Sequence, residues 1–63
     1  MKGIENMKEY GVFSITYDGY ADCEEFTSKS KATTYANRKA KDVNVDVVYI
    51  QVGNGEETIN IKL

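Results

Sequence analysis

DVVYIQVGNGEETINIKL, residues 46–63, reads as two β-strands joined by a tight turn. Asn54-Gly55 is the pair that favours a type I′ turn, because both central residues of that turn need a positive φ. A two-residue loop also fixes which residues stand opposite each other. The predicted cross-strand pairs are Val52 with Glu57, Ile50 with Ile59, Val48 with Ile61, and Asp46 with Leu63.

This pairing sorts the hairpin into an apolar and a polar side, since successive side chains of a strand point to opposite faces. The apolar side holds Val48, Ile50, Val52, Ile59, Ile61 and Leu63. The other side holds Tyr49, Gln51, Thr58, Asn60 and Lys62. Turn chemistry and alternation therefore agree on a small sheet protein with one buried face.

Length and composition limit the possibilities further. Residues 1–63 are expected to form one small α+β domain with a frayed start at residues 1–8. Eight basic and ten acidic residues give a net charge of −2, which argues against a general polyanion binder. No apolar run approaches the ~18 residues of a membrane span, and Met1–Met7 lacks the apolar core of a signal peptide. A single cysteine, Cys23, excludes an internal disulfide, so a cytoplasmic location is predicted.

A second hairpin is predicted from Tyr10 to Thr27, around Asp18-Gly19. With a two-residue loop, Tyr17 pairs with Tyr20, Ile15 with Asp22, Phe13 with Glu24, and Gly11 with Phe26. The aromatic side of this hairpin is expected to face the core, with Asp22 and Glu24 towards the sheet edge. Its members are Phe13, Ile15, Tyr17, Tyr20 and Phe26. A longer loop or a bulge would change this assignment.

Between the hairpins, a helix is predicted from the Thr27–Lys31 region to about Lys41, with Ser28 or Ser30 as its N-cap. A stripe at helical spacing is expected to face the sheet, and it consists of Ala32, Tyr35, Ala36, Lys39, Ala40 and Val43. The predicted fold class is α+β in the order ββαββ: a four-stranded antiparallel sheet with the helix on one face. The architecture resembles that of small bacterial and phage proteins in which one helix crosses a meandering sheet.

Residues suited to catalysis are scarce. There is no histidine, no glycine-rich phosphate loop, and too few cysteines for a zinc site. Asp22, Glu24 and Glu25 form an acidic cluster, but alternation sends Glu25 to the other face, so a charged edge strand is favoured over a cation site. The same acids are expected to raise the pKa of Cys23 and make it unreactive. We therefore predict no enzyme, metal or cofactor, and no small-molecule substrate is evident.

Two binding surfaces remain as hypotheses. Tyrosine supplies contact area at low entropic cost, so exposed tyrosines on a sheet favour binding to a protein partner or a homodimer. The predicted contact residues are Val47, Tyr49 and Gln51, followed by Tyr17 and Tyr20. The alternative is nucleic-acid binding by the outer helix face, through Lys31, Thr34, Arg38 and Lys41. Membrane binding is not expected.

Overall fold

The structure is a computed structural model that describes residues 9–53 and 55–62. These residues form β1 (Tyr10–Thr16), β2 (Ala21–Phe26), α1 (Lys29–Ala40), β3 (Val45–Val52) and β4 (Glu57–Lys62). The strands make one antiparallel sheet in the order β2-β1-β3-β4, and α1 packs against it. The predicted α+β fold in ββαββ order is confirmed. The frayed start predicted for residues 1–8 lies outside the described residues. None of the described helical residues forms a segment long and apolar enough to cross a bilayer.

The β3–β4 hairpin keeps the predicted register over most of its length: Val52 pairs with Glu57, and Ile50 with Ile59. The turn is longer than two residues, because the Val52 carbonyl accepts from the Gly55 amide at 3.2 Å and from the Glu56 amide at 3.0 Å. Gly55 has the positive φ (90°) that the sequence predicted. The expected geometry of Asn54 and the expected pairing of Asp46 with Leu63 are not addressed, because Asn54 and Leu63 lie outside the described residues.

A β-bulge interrupts the far end of this hairpin. Val48 pairs with Lys62 instead of Ile61, so Ile61 is the extra residue of the bulge. Ile61 still packs against the core. The prediction that Lys62 lies on the polar side is wrong, because the bulge turns it towards the helix side. Its Nζ there donates to the carbonyls of Val45 (2.6 Å) and Asp42 (3.3 Å).

The β1–β2 hairpin departs from its predicted register by one residue. Its loop has three residues, 17–19, since the Thr16 amide donates to the Tyr20 carbonyl and the Gly19 amide to the Thr16 carbonyl, both at 2.9 Å. Gly19 has φ 87°, as a three-residue loop ending in a left-handed residue requires. Ile15 therefore pairs with Ala21 rather than Asp22, and Phe13 with Cys23 rather than Glu24.

The expectation that the aromatic side of the first hairpin faces the core is consequently wrong for most of its members. Val12 and Ser14 are buried under the helix instead, opposite Ile50 and Val48 of β3. Phe26 does pack against the core, together with Tyr10. The strand pairing places Phe13 and Ile15 on the opposite side of the sheet.

The core lies between α1 and the sheet. Ala32 and Ala36 are completely buried, so the helix backbone approaches the strands closely, and the ring of Tyr35 packs against that of Phe26 at 5.3 Å between centroids. The sheet contributes the buried side chains of Val12, Val45, Val48, Ile50 and Val52. The sequence placed Val43 in the helix stripe, but the helix ends at Ala40 and Val43 is 83% exposed.

Candidate protein-binding face

The side of the sheet turned away from α1 is called the open face. By strand pairing its members are Gly11, Phe13, Ile15, Ala21, Cys23, Glu25, Val47, Tyr49, Gln51, Thr58 and Asn60. Among the residues that the structure describes, no helix or strand lies over this side. A sheet of this size normally buries one face only, but this open face is not the polar surface that such a sheet usually shows to water.

Three cross-strand rows organise the open face, because the pairings of neighbouring strands line up. The central row runs Cys23, Phe13, Tyr49, Asn60 across β2, β1, β3 and β4. On one side of it lies the row Glu25, Gly11, Gln51, Thr58. On the other side lies the row Ala21, Ile15, Val47. Apart from Gln51, the open-face residues of the two middle strands are apolar or glycine, whereas Glu25, Thr58 and Asn60 on the edge strands are polar.

A pair of aromatic rings stands at the centre of the open face. Phe13 and Tyr49 are stacked with 5.1 Å between ring centroids and 10° between ring planes. Gly11 makes room for this arrangement, since a Cβ there would lie 3.2 Å from the Phe13 ring. Such a pair contributes about 0.5–1.5 kcal/mol beyond the area it buries. The two rings form an apolar ridge, and both remain partly open to solvent.

Next to the ridge, the side-chain amide of Gln51 has an oxygen without a hydrogen-bond donor among the described residues. Its Oε1 is buried and accepts no hydrogen bond within the described part of the chain. A buried acceptor without a donor costs about 1–3 kcal/mol.

The thiol of Cys23 lies at the β2 end of the central row. Partial burial raises its pKa, and the negative charges of Glu25, Asp22 and Glu24 raise it further. The thiolate is the reactive form of cysteine. Cys23 is therefore held as a neutral thiol at neutral pH, which makes it a poor nucleophile although its side chain is exposed.

The predicted contact residues fall into two groups. Val47, Tyr49 and Gln51 do lie side by side on the open face. Tyr17 and Tyr20 are at the tip of the first hairpin, where they are 67% and 70% exposed. Tyr20 stands opposite Thr16, so alternation aligns it with Asp22 on the helix side and separates it from the group.

Comparisons with protein-family models, curated proteins and solved structures found no match to this chain. Phe13 and Ile15 are the members of the open face that sequence reasoning missed. The signal that would have found them was the length of the loop at Asp18-Gly19, since a three-residue loop reverses the facing of β2 relative to β1.

The alternative surface, the outer helix face, consists of Lys31, Thr34, Arg38 and Lys41. All four are exposed and form one line at spacings of three, four and three residues. Within the described residues, Lys31, Arg38 and Lys41 have no carboxylate within ion-pair distance. The Thr34 hydroxyl donates to the Ser30 carbonyl at 3.0 Å, so it is not a free donor for a phosphate.

Lys39 differs from these cations because it points back to the sheet. Its Nζ lies 3.9 Å from the Asp22 carboxylate and 5.8 Å from the centre of the Tyr35 ring. Asp22 and Glu24 face the helix, while Cys23 and Glu25 face the open side, as alternation predicted. No three carboxylates or thiols of the described residues converge to hold a metal ion.

A surface hollow of about 380 Å³ lies where β1 begins and β2 ends. Its lining residues are Glu9, Glu25, Phe26, Thr27 and Lys31. Two carboxylates line it, which is the minimum for acid–base chemistry on a chain without histidine. However, Glu9, Glu25, Thr27 and Lys31 are all exposed to water. Catalytic groups are usually withdrawn from water in a cleft, and this hollow does not provide that environment.

Proposed function

We propose that this chain is a non-enzymatic interaction module that binds a protein partner, or another copy of itself, through the open face. The observation that carries the proposal is the stacked Phe13–Tyr49 pair at the centre of a face that no described element covers. Aromatic residues in a well-packed centre supply much of the energy of protein interfaces. The polar residues at the edges of the open face fit the rim of such an interface.

The flanking residues support the same function. Ile15 and Val47 extend the apolar centre, and neither carries a charge that would have to be desolvated. Within the described part of the chain, no Lys or Arg lies on the open face, since Lys62 is turned to the helix side and the other cations are in or next to α1. Charged residues are depleted at the centres of interfaces.

The test compares two alanine variants of the tagged protein in a pull-down from the source cell, with an untagged copy of the chain co-expressed. Tyr49→Ala removes half of the aromatic ridge, and we expect it to lower affinity at least tenfold. Arg38→Ala changes an exposed side chain of the outer helix face and is the matched control. The proposal requires that the species captured by wild type is lost with Tyr49→Ala and retained with Arg38→Ala.

The reverse pattern would contradict the proposal and would move the binding site to the helix. Circular dichroism and thermal melting of both variants are needed alongside the pull-down. Tyr49 is half-buried but lies outside the core, so the variant is expected to keep its fold.

The second candidate is nucleic-acid binding by the outer helix face, and the unpaired state of Lys31, Arg38 and Lys41 within the described residues favours it. Three phosphate contacts on duplex DNA would give a slope of about −2.7 for log affinity against log salt concentration. Arg38→Ala is expected to weaken binding and reduce that slope by about 1, whereas Tyr49→Ala is expected to change neither. Absence of binding to labelled DNA and RNA oligomers at low salt would rule out this function.

A further inference from the structure

We propose that the occupant of the open face is a second copy of this chain, related to the first by a two-fold axis that runs parallel to the strands between β1 and β3. This inference rests on the proposed function and specifies its partner. The axis passes through the middle of the sheet, because the strand order is β2-β1-β3-β4. It places β1 of one copy over β3 of the other, and β2 over β4.

The three rows of the open face are complementary to themselves in this arrangement. The axis keeps each row at the same position along the strands and reverses its order across them. Each row therefore lies over the same row of the second copy, read in the opposite direction. Phe13 then faces Tyr49, and Ile15 faces Val47. At the edges, Glu25 faces Thr58 and Cys23 faces Asn60. In the centre, apolar residues thus meet apolar residues in two of the three rows, and in the third row Gln51 faces Gly11. At the rim, Glu25 and Cys23 meet the polar side chains of Thr58 and Asn60.

Charge favours this axis over the two-fold axis perpendicular to it in the plane of the sheet. An axis along the central row would place β2 over β2, with Glu25 of each copy above Ala21 of the other. A carboxylate would then be pressed onto the apolar end of the face, which has a large desolvation cost. The axis parallel to the strands instead offers Glu25 the hydroxyl of Thr58, which can donate a hydrogen bond to the carboxylate.

The size of the open face allows a weak, reversible dimer of two copies. Four strands about 4.8 Å apart and about 20 Å long give a projected area of roughly 400 Å² per copy. Side chains that stand out from the plane raise the buried total of the two copies towards the ~1,200 Å² at which stable interfaces begin. We therefore expect dissociation in the micromolar range, visible as a concentration-dependent mass in sedimentation.

A single cysteine substitution tests the geometry. In the Asn60→Cys variant, Cys23 of each copy would lie over the introduced thiol of the second copy, with the two sheets about 10 Å apart. Because Cys23 is held as a neutral thiol, the reaction is run at mildly alkaline pH, where bismaleimidoethane is expected to join the copies in high yield. Wild type and the variant Cys23→Ser/Asn60→Cys each keep one cysteine per copy, at opposite edges of the dimer about 17 Å apart, and are expected to give little cross-linking.

Rim charge gives an independent readout that needs no cross-linker. Thr58→Lys would bring an ammonium group over Glu25 of the second copy, and we expect dimerisation at low salt to tighten several-fold. Thr58→Asp is the matched control and is expected to weaken dimerisation several-fold by like-charge repulsion. Both substitutions are at an exposed position of an edge strand, so the monomer fold should be unaffected.

The outcomes separate this inference from the proposed function. Efficient cross-linking of wild type through Cys23 alone would overturn the axis, because Cys23 would then lie over itself. A monomeric mass at all concentrations would overturn the second copy as occupant. If Tyr49-dependent capture of a different protein persisted in that case, the open face would still be a protein-binding surface.

Discussion

Two glycines decide at the residue scale what the open face presents. Gly19 occupies the left-handed position of the first hairpin loop, with φ 87° and no atom within 4 Å of where a Cβ would be. A larger residue at position 19 would therefore be strained by the positive φ and not by a steric clash with neighbouring atoms. Gly11 acts by size instead, because it leaves the space that the Phe13 ring occupies. One glycine sets the register of the hairpin, and the other lets the aromatic ridge form.

Replacement of Gly19 tests the first of these roles. Gly19→Ala is expected to lower the free energy of unfolding by about 1–2 kcal/mol, because an L-residue resists the left-handed conformation. D-alanine at the same position, introduced by chemical synthesis, prefers a positive φ and should be neutral or slightly stabilising. Urea denaturation of the three proteins gives the comparison. Equal destabilisation by the two alanine enantiomers would contradict the conformational explanation.

At the scale of the secondary-structure elements, α1 begins at a defined capping residue. The sequence offered Ser28 and Ser30 as candidates. In the structure Ser28 has extended backbone angles, and its Oγ accepts from the Lys31 amide at 3.3 Å. Ser30 lies inside the first helical turn, where its carbonyl accepts the Thr34 hydroxyl. The cap therefore depends on the side chain of Ser28 and not on that of Ser30.

The serine pair supplies its own control. Ser28→Ala is expected to lower the free energy of unfolding by about 1 kcal/mol, because one amide at the helix start loses its acceptor. Ser30→Ala should change stability by less than about 0.5 kcal/mol, since alanine also has the higher helix propensity. Thermal or urea denaturation of both variants measures the difference. A larger loss from Ser30→Ala would show that the helix begins later than Lys29.

The two hairpins show how far the elements were predictable. In the second hairpin, turn residues and alternation agree, so Ile50 and Ile59 were paired correctly even though the turn proved longer. In the first, Asp18-Gly19 suits both a two-residue and a three-residue loop. A difference of one residue in the loop changes which β1 side chains share a face with the β2 side chains, and the alternation in β1 is too weak to decide. Phe13 was consequently assigned to the wrong side.

The same difference between the two hairpins explains which residues of the candidate site were predicted. Val47, Tyr49 and Gln51 were placed correctly because they depend only on the second hairpin. Their neighbours Phe13 and Ile15 depend on the pairing of β1 with β3, which joins distant segments of the chain. Local turn and propensity signals carry no information about such a pairing. The aromatic ridge therefore arises from tertiary structure, and no local motif in the sequence predicts it.

At the scale of the whole molecule, charge and apolar surface are segregated. Residues 29–41 contain five basic and no acidic residues, while residues 9–28 contain five acidic and no basic residues. Lys39 and Asp22 connect the two regions at 3.9 Å, but a pair this exposed contributes at most about 1 kcal/mol. Burial between α1 and the sheet therefore has to provide most of the stability, and a chain of 63 residues has little to spare.

A small core of this kind predicts that association adds to stability. If unfolding and dissociation of a dimer are coupled, the melting temperature rises with protein concentration by mass action. For two chains of 63 residues, an unfolding entropy of about 2.1 cal/mol/K per residue gives a rise of about 5 °C per tenfold concentration. Tyr49→Ala should flatten this dependence, whereas Arg38→Ala should preserve it, because only Tyr49 lies on the open face. Calorimetry over a hundredfold concentration range measures the slope, and a melting temperature independent of concentration in wild type would show that the folded chain gains no stability from a second copy.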